Sequence, residues 1–334
     1  MLTRQPLVVE VLRGHVVESV HQVMVAVVNE QGHLLHGWGN TNYATYPRSA
    51  IKMIQALPLI ESGAADKFEI QDEWLALACA SHRGEKKHLE ALAAWAQKVG
   101  VKESDLACGP HLPYNEAAAH DFIRHNHKPT AFCNNCAGKH LALITTCIHA
   151  GEKIQGYEKH DHAAQKRLRT ILTETMKVDH GKIPEGVDGC GIQTYAVPLQ
   201  AIAVGMSTFI NHHASEKRKN AAARLIKAVS NNPFYIAGSD DFATSVIEKT
   251  QGRAIIKGGA EGVVAGFLPD KKVAFALKVA DGAARAAQFA ASQVLLHLGG
   301  MNIDEGKSLS KFTQPVITNW KGDSVGTIRI AKPQ

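Results

Sequence analysis

Hydrophobic positions cluster in β-like runs at both ends of the chain and recur with helical spacing between them. "PLVVEVLRG" and "QVMVAVVNEQGHLLHGWG" read as strands, with "ESV" a further short candidate; "NEQG" lies between two β-rich runs and predicts a hairpin. From Tyr46 the period changes. In "SAIKMIQALPLIESG" Ala50, Met53, Ile54 and Leu57 fall on one stripe, and Gly63 marks the end of the helix. Helical runs continue through "KKHLEALAAWAQKVG", "GKHLALITTCIHAG", "HDHAAQKRLRTILTETMK", "YAVPLQAIAVGMSTFI", "ASEKRKNAAARLIKAV" and "SDDFATSVIEKT". After Gly252 short β-rich segments return as "RAIIKGG", "GVVAGFLP" and "KVAFALKVA", split by the turn signals "GAEG" and "PDKK", and one more helix follows in "AARAAQFAASQVLLHLGG".

That order predicts an α/β (α+β) protein whose antiparallel sheet is built from both chain ends and flanked by helices, with a helical lobe inserted. The expected organisation of the 334 residues is a single two-lobed domain, with a sheet lobe over approximately 1–45 and 252–334 and a helical lobe over approximately 46–251. No internal repeat or linker interrupts it.

Composition excludes several classes. Hydrophobic residues make up 45% and charged residues 20%, an ordinary globular balance. Lys and Arg exceed Asp and Glu by 37 to 31, but the charges are interspersed. The densest basic run, "SEKRKNAAARLIK", reads as the solvated face of a helix held by Ala221, Leu225 and Ile226, and it lacks the interleaved aromatics of a nucleic-acid surface. Glu10 and Arg13 interrupt the first apolar residues, so no secretory signal is expected, and no run approaches the ~18 apolar residues of a membrane span. A cytoplasmic location follows as the expectation. The six cysteines, Cys79, Cys108, Cys133, Cys136, Cys147 and Cys190, are then expected as free thiols, available for metal binding or reactivity.

Candidate chemistry begins at "YPRSAIKM". Thr45 is a candidate N-cap and Pro47 suits a first helical turn, which places Ser49 near a helix start and Lys52 one turn later on the same face. A serine hydroxyl becomes a nucleophile when a base takes its proton, and a neutral lysine can be that base. Burial or a neighbouring cation such as Arg48 would depress the lysine pKa. Hydrolases of the penicillin-binding and β-lactamase type also combine S-x-x-K at a helix start with a lysine on a late strand, and here "IIKGGAEG" offers Lys257. Ser81 in "LALACASHRGE" is the candidate second serine. "GSDDF", with Ser239, Asp240 and Asp241, reads as a helix N-cap. In "AFCNNCAGKH", Cys133 and Cys136 have zinc-like spacing and with His140 and Cys190 could supply four ligands; buried cysteines acting as small hydrophobes are an equal alternative. Lys139 follows Cys136 by three residues, and Asp188 precedes Cys190 by two.

Five blocks in order, "YPRSAIKMIQALPLIESGAA", "ASHRGEKKH", "NNCAGKH", "VDGCGIQTYAVPL" and "KGGAEGV", resemble the rhizobial-type L-asparaginase family, whose fold is similar to serine β-lactamases and serine-dependent glutaminases. The resemblance implies two Ser-Lys tandems, Ser49 with Lys52 and Ser81 with Lys257. It also implies zinc held by Cys136, Lys139 and Cys190 with Asp188 close by, no ligand role for Cys133, and a homodimer. The implied activity is hydrolysis of L-asparagine to L-aspartate and ammonia through a serine acyl-enzyme, with Asp188 at the substrate; Arg48 is a candidate for gripping the substrate α-carboxylate or lowering the lysine pKa, a surface cation being the equal alternative. "KGG" stands where the wider β-lactamase pattern has "KTG", so no Thr hydroxyl is expected in the site. A serine-dependent glutaminase or a β-lactamase-like peptidase or amidase is the nearest alternative; a non-catalytic zinc-binding protein is the alternative of a different class.

Overall fold

The structure, a computed structural model, describes residues 2–3 and 5–331. Four strands open the chain: β1 (Leu2–Thr3), β2 (Leu7–Arg13), β3 (Val16–Asn29) and β4 (Leu34–Trp38). Two pairs of short strands lie in the middle: β5 (Ala44–Thr45) with β8 (Val197–Pro198), and β6 (Glu185–Val187) with β7 (Gln193–Tyr195). The chain closes with β9 (Ile255–Gly259), β10 (Val263–Leu268), β11 (Val273–Val279), β12 (Val316–Thr318) and β13 (Ser324–Ile330).

Among the described residues one nine-stranded sheet joins both ends of the chain, in the order β12-β13-β2-β3-β11-β10-β9, with β4 also on β3 and β1 on β4. Every pairing in it is antiparallel except β1 with β4. β3 is the hinge of this arrangement. Its first half pairs with β2, and its second half lies between β11 and β4. Sequence shows why the halves differ: Val16 and Val20 are exposed, whereas Val23–Val28 are buried without alternation. A strand buried on both faces must be apolar at every position. The helices that cover it are Leu199–Ser207 and Ala284–His297, both packed on β3 and β11. "NEQG" makes the predicted hairpin: the Asn29 side chain accepts from the Gln31 and His33 N–H groups, and Gly32 adopts φ +85°.

Three local expectations change. Thr45 is not a helix cap but part of β5; a short 3₁₀ turn over Arg48–Ile51, preceded by Pro47 and without a side-chain cap, leads into the helix Lys52–Glu61. That helix is buried from Lys52 to Ile60 rather than along one stripe, as its mostly apolar sequence dictates once other helices surround it. Each fully buried Leu or Ile there contributes roughly 1.5–3 kcal/mol, which offsets the cost of carrying Lys52 inside. The helix expected from Tyr195 begins at Leu199, because Tyr195 is in β7 and Pro198 cannot continue a helix. The hairpin β12–β13 has no counterpart in the sequence reading. By contrast, "GSDDF" caps as expected: the Asp241 carboxylate accepts from the Ala243 N–H, opening the helix Phe242–Lys249.

Candidate active site

A cavity of about 420 Å³ opens where the Arg48–Ile51 turn, β9, the β6–β7 turn and the loop before the helix Ala137–His149 meet. Ser49, Ser81 and Lys257 all line it. Lys52 lies beneath them, 1% exposed.

Each side chain has a local cause. The helix Asp72–Ala78 ends at Cys79, and Ser81 follows two residues later with its N–H donating to the Ile236 carbonyl at 2.9 Å. Lys52 reaches across from its own helix and donates to the Ala80 carbonyl, to Ser81 Oγ at 3.1 Å and to the Asn135 carbonyl at 3.3 Å. From the other side Lys257 Nζ lies 2.8 Å from Ser81 Oγ and donates to the Gly258 carbonyl at 2.7 Å. Ser81 therefore sits between two lysine amines that are distant in sequence. Ser49 faces the same cavity, and its hydroxyl has no hydrogen-bond partner among the described residues. Spacing suggests a direct Ser49–Lys52 hydrogen bond, but the Lys52 amine bonds to Ala80, Ser81 and Asn135 instead.

Electrostatics separate the groups. Burial, reinforced by the nearby Lys52, depresses Lys257 from the ordinary lysine range to about 7. An amine at that value is a base near neutral pH. Burial pushes the Cys79 thiol up to about 12, so this sulfur behind the serines stays protonated and inert.

Glycines let these elements meet. A Cβ on Gly259 would lie 2.7 Å from the Pro47 carbonyl oxygen and 3.0 Å from the Ala50 nitrogen, so only glycine brings β9 this close to the turn that carries Ser49. A Cβ on Gly258 would meet nothing within 4 Å. Gly138 serves the opposite wall: a Cβ there would fall 2.0 Å from the Leu77 carbonyl oxygen, so the helices Asp72–Ala78 and Ala137–His149 touch backbone to backbone.

The remaining wall is charged. Arg48 adopts φ +49°, an unusual conformation for a side-chain-bearing residue. Its Nε and Nη2 donate to Asp188 Oδ1 at 2.8 and 2.7 Å. Burial opposes ionisation of Asp188, but the Arg48 hydrogen bonds and the charge of Lys139 prevail and hold its pKa below the usual carboxylate range. Asp188 and Cys190 stand on the tight turn between β6 and β7, where the Gly191 N–H donates to the Asp188 carbonyl and Gly191 takes φ +85°. Lys139 is buried and donates to Cys190 Sγ at 2.9 Å. The neighbouring Cys190 thiol holds Cys136 well below the ordinary thiol range against the effect of burial, and the charges of Lys52 and Lys139 add to this. Although burial disfavours an ammonium, the two sulfurs hold Lys139 above its usual value.

Two thiols line one cavity wall with the buried Lys139 amine against Cys190; the sulfurs suit zinc in kind, and Lys139 would join them only as the neutral amine. Among the described residues no cluster of three or more His, Cys, Asp or Glu is arranged to hold a metal. His140 is buried, with Nδ1 hydrogen-bonded to the Tyr157 hydroxyl and Nε2 without a hydrogen-bond partner among the described residues. Cys133 is buried and does not line the cavity.

Sequence reasoning passed over several lining residues. Asn134 braces the loop by donating to the Cys108 and Gly109 carbonyls while accepting from the Cys136 N–H. Asn135 presents its carbonyl to Lys52, and its N–H donates to His111 Nε2 at 3.0 Å. Tyr114 stacks on His111 at 4.5 Å. Asn134 and Asn135 stand inside the "NNCAGKH" block, where paired amides before a buried helix were a usable signal; His111 and Tyr114 carried none. Asp241, read as a cap, also lines the cavity.

None of the curated proteins compared with the chain matches it. A solved structure described as "Crystal Structure Analysis of Mglu" is similar over 82% of this chain and 66% of its own length, at 14% identity and a TM-score of 0.42; this chain thus spans just under two thirds of that one. No helix among the described residues is long and apolar enough to cross a membrane. The family model for L-asparaginase II matches residues 9–330, nearly the whole chain, and the protein belongs to that family.

Proposed function

We propose that the protein hydrolyses the side-chain amide of L-asparagine to L-aspartate and ammonia through a serine ester. Family membership supports an asparaginase-type amidohydrolase. The observation that carries the finer reading is Ser81 Oγ held between Lys52 and Lys257, in one cavity with the unpartnered hydroxyl of Ser49.

In this reading Ser49 Oγ attacks the amide carbon and releases its proton into the Lys52–Ser81–Lys257 relay. Lys257, near pH 7 a base for part of the time, accepts it through the Ser81 hydroxyl. Backbone N–H groups at the start of the Arg48–Ile51 turn hold the oxyanion, a contribution of about 3 kcal/mol for one good donor. The relay returns a proton to the leaving nitrogen as the C–N bond breaks, and water attacks the ester by the reverse path. Arg48, fixed by Asp188, grips the substrate α-carboxylate. The placement of Ser-x-x-Lys at a helix entry and of the second lysine on β9, within a sheet drawn from both chain ends, supports a β-lactamase-like layout.

Zinc, when bound, would be held by Cys136, Lys139 and Cys190 and would supply a Lewis-acidic centre at the cavity wall. The reading further takes the protein as a homodimer, on the family resemblance alone, and as cytoplasmic, on its cysteine usage.

Ammonia release tests the proposal. Wild type is expected to release it from asparagine in preference to glutamine, and Ser49→Ala and Ser81→Ala each to lose about three orders of magnitude or more in kcat. A zinc-binding protein without catalysis would instead be damaged by Cys136→Ala and be indifferent to either serine change.

A further inference from the structure

The asparagine reading leaves one charge of the substrate without a partner. A free amino acid carries an α-ammonium as well as an α-carboxylate, and a buried cation needs an anion against it. Two carboxylates line the cavity, Asp188 and Asp241. Asp188 already has its cation: its Oδ1 takes two N–H groups of the Arg48 guanidinium and the Gly189 N–H at 2.7 Å, although its Oδ2 carries no hydrogen bond among the described residues. Asp241 is different. Its Oδ1 accepts from the Ala243 N–H at 2.8 Å, which fixes the carboxylate plane, and its Oδ2 has no hydrogen-bond or ion-pair partner among the described residues.

Positions favour the same division. Asp188 stands on the wall formed by the β6–β7 turn with Arg48 reaching it from the Arg48–Ile51 turn, and Asp241 stands on the wall formed by the start of the Phe242–Lys249 helix, with Lys257 and Gly258 also on the cavity surface. Gly258 has no atoms within 4 Å of where its Cβ would lie, so there is open space in the cavity beside β9.

We propose that Asp241 receives the α-ammonium of the amino-acid substrate and so restricts the site to free amino acids over their deaminated analogues. This deepens the asparaginase reading and rests on it for the identity of the amino acid. Asp241 is a binding residue, with Oδ1 spent on the helix cap and Oδ2 on the ligand.

Calorimetric binding of L-aspartate and of succinate, which lacks only the amine, tests it in wild type and in Asp241→Asn. Asparagine keeps the Oδ1 acceptor and is as good an N-cap as aspartate, so the helix start is preserved. Expected is a loss of about tenfold or more in aspartate affinity for the variant, with succinate affinity changed by less than about twofold. Equal changes for the two ligands, no change for either, or wild-type affinity for succinate matching that for aspartate would overturn the assignment. So would a variant whose only defect is a shift of the acid limb of ammonia release, because Asp241 would then act on Lys257 and not on the ligand. Ammonia release by wild type, assayed alongside, keeps the two readings apart: aspartate preferred over succinate without asparagine turnover rejects the hydrolase and retains the ammonium site.

Discussion

Ser81 and Lys257 show how a side chain's surroundings decide its role. A lysine in water is charged to above pH 10, but Lys257 is enclosed and faces a second lysine, and its pKa falls to about 7. The sign of the pH dependence follows. As the base, Lys257 must be neutral, so kcat/KM for ammonia release is expected to rise with pH through about 7 and to fall tenfold per unit on the acid side. Stability moves the same way: the folded state binds the lysine proton less tightly than the unfolded chain, so Lys257 costs stability increasingly as pH falls from 10.5 towards about 7. Lys257→Met should therefore abolish turnover while melting no lower than wild type at pH 7, as judged by ammonia assay and thermal unfolding. A variant that melts well below wild type would mean that the amine is structural.

At the scale of elements, close approach matters more than contact chemistry. β9 presents Lys257 at the correct depth only because Gly259 lets it lie against the turn carrying Ser49. Gly259→Ala is expected to push the strand outward and lower kcat by about 100-fold, the usual consequence of misplacing reacting groups by about 1 Å. Gly258→Ala, with nothing within 4 Å of its Cβ, should melt like wild type; indistinguishable behaviour of the two variants would contradict the packing argument. Periodicity made most helices and the central strands legible because each buries an apolar face or is apolar throughout. It failed where other constraints rule. The start at Leu199 depends on Pro198, and β12 has only three residues while β13 is mostly unburied, held by pairing with a strand from the opposite chain end. The glycines of "KGG" were visible as a departure from "KTG", but their purpose, room on one side and contact on the other, requires the third dimension.

Across the whole molecule, a sheet sewn from both chain ends places β9 beside a helix entry from the first third of the chain, and the loop before the Ala137–His149 helix closes the third side. The residue types in the five blocks made an asparaginase-type amidohydrolase legible. Their partnering was not. Spacing along one helix pairs Ser49 with Lys52, whereas the fold aims both Lys52 and Lys257 at Ser81 and leaves Ser49 facing open cavity. That division of labour, one serine to attack and one to pass protons, is the central claim. Rapid acid quench of the wild-type protein turning over L-asparagine, followed by peptide mapping with mass spectrometry, tests it most directly. An aspartyl ester on the peptide containing Ser49, absent from the peptide containing Ser81, is the predicted result; an ester on Ser81, or turnover with no ester on either serine, would contradict it.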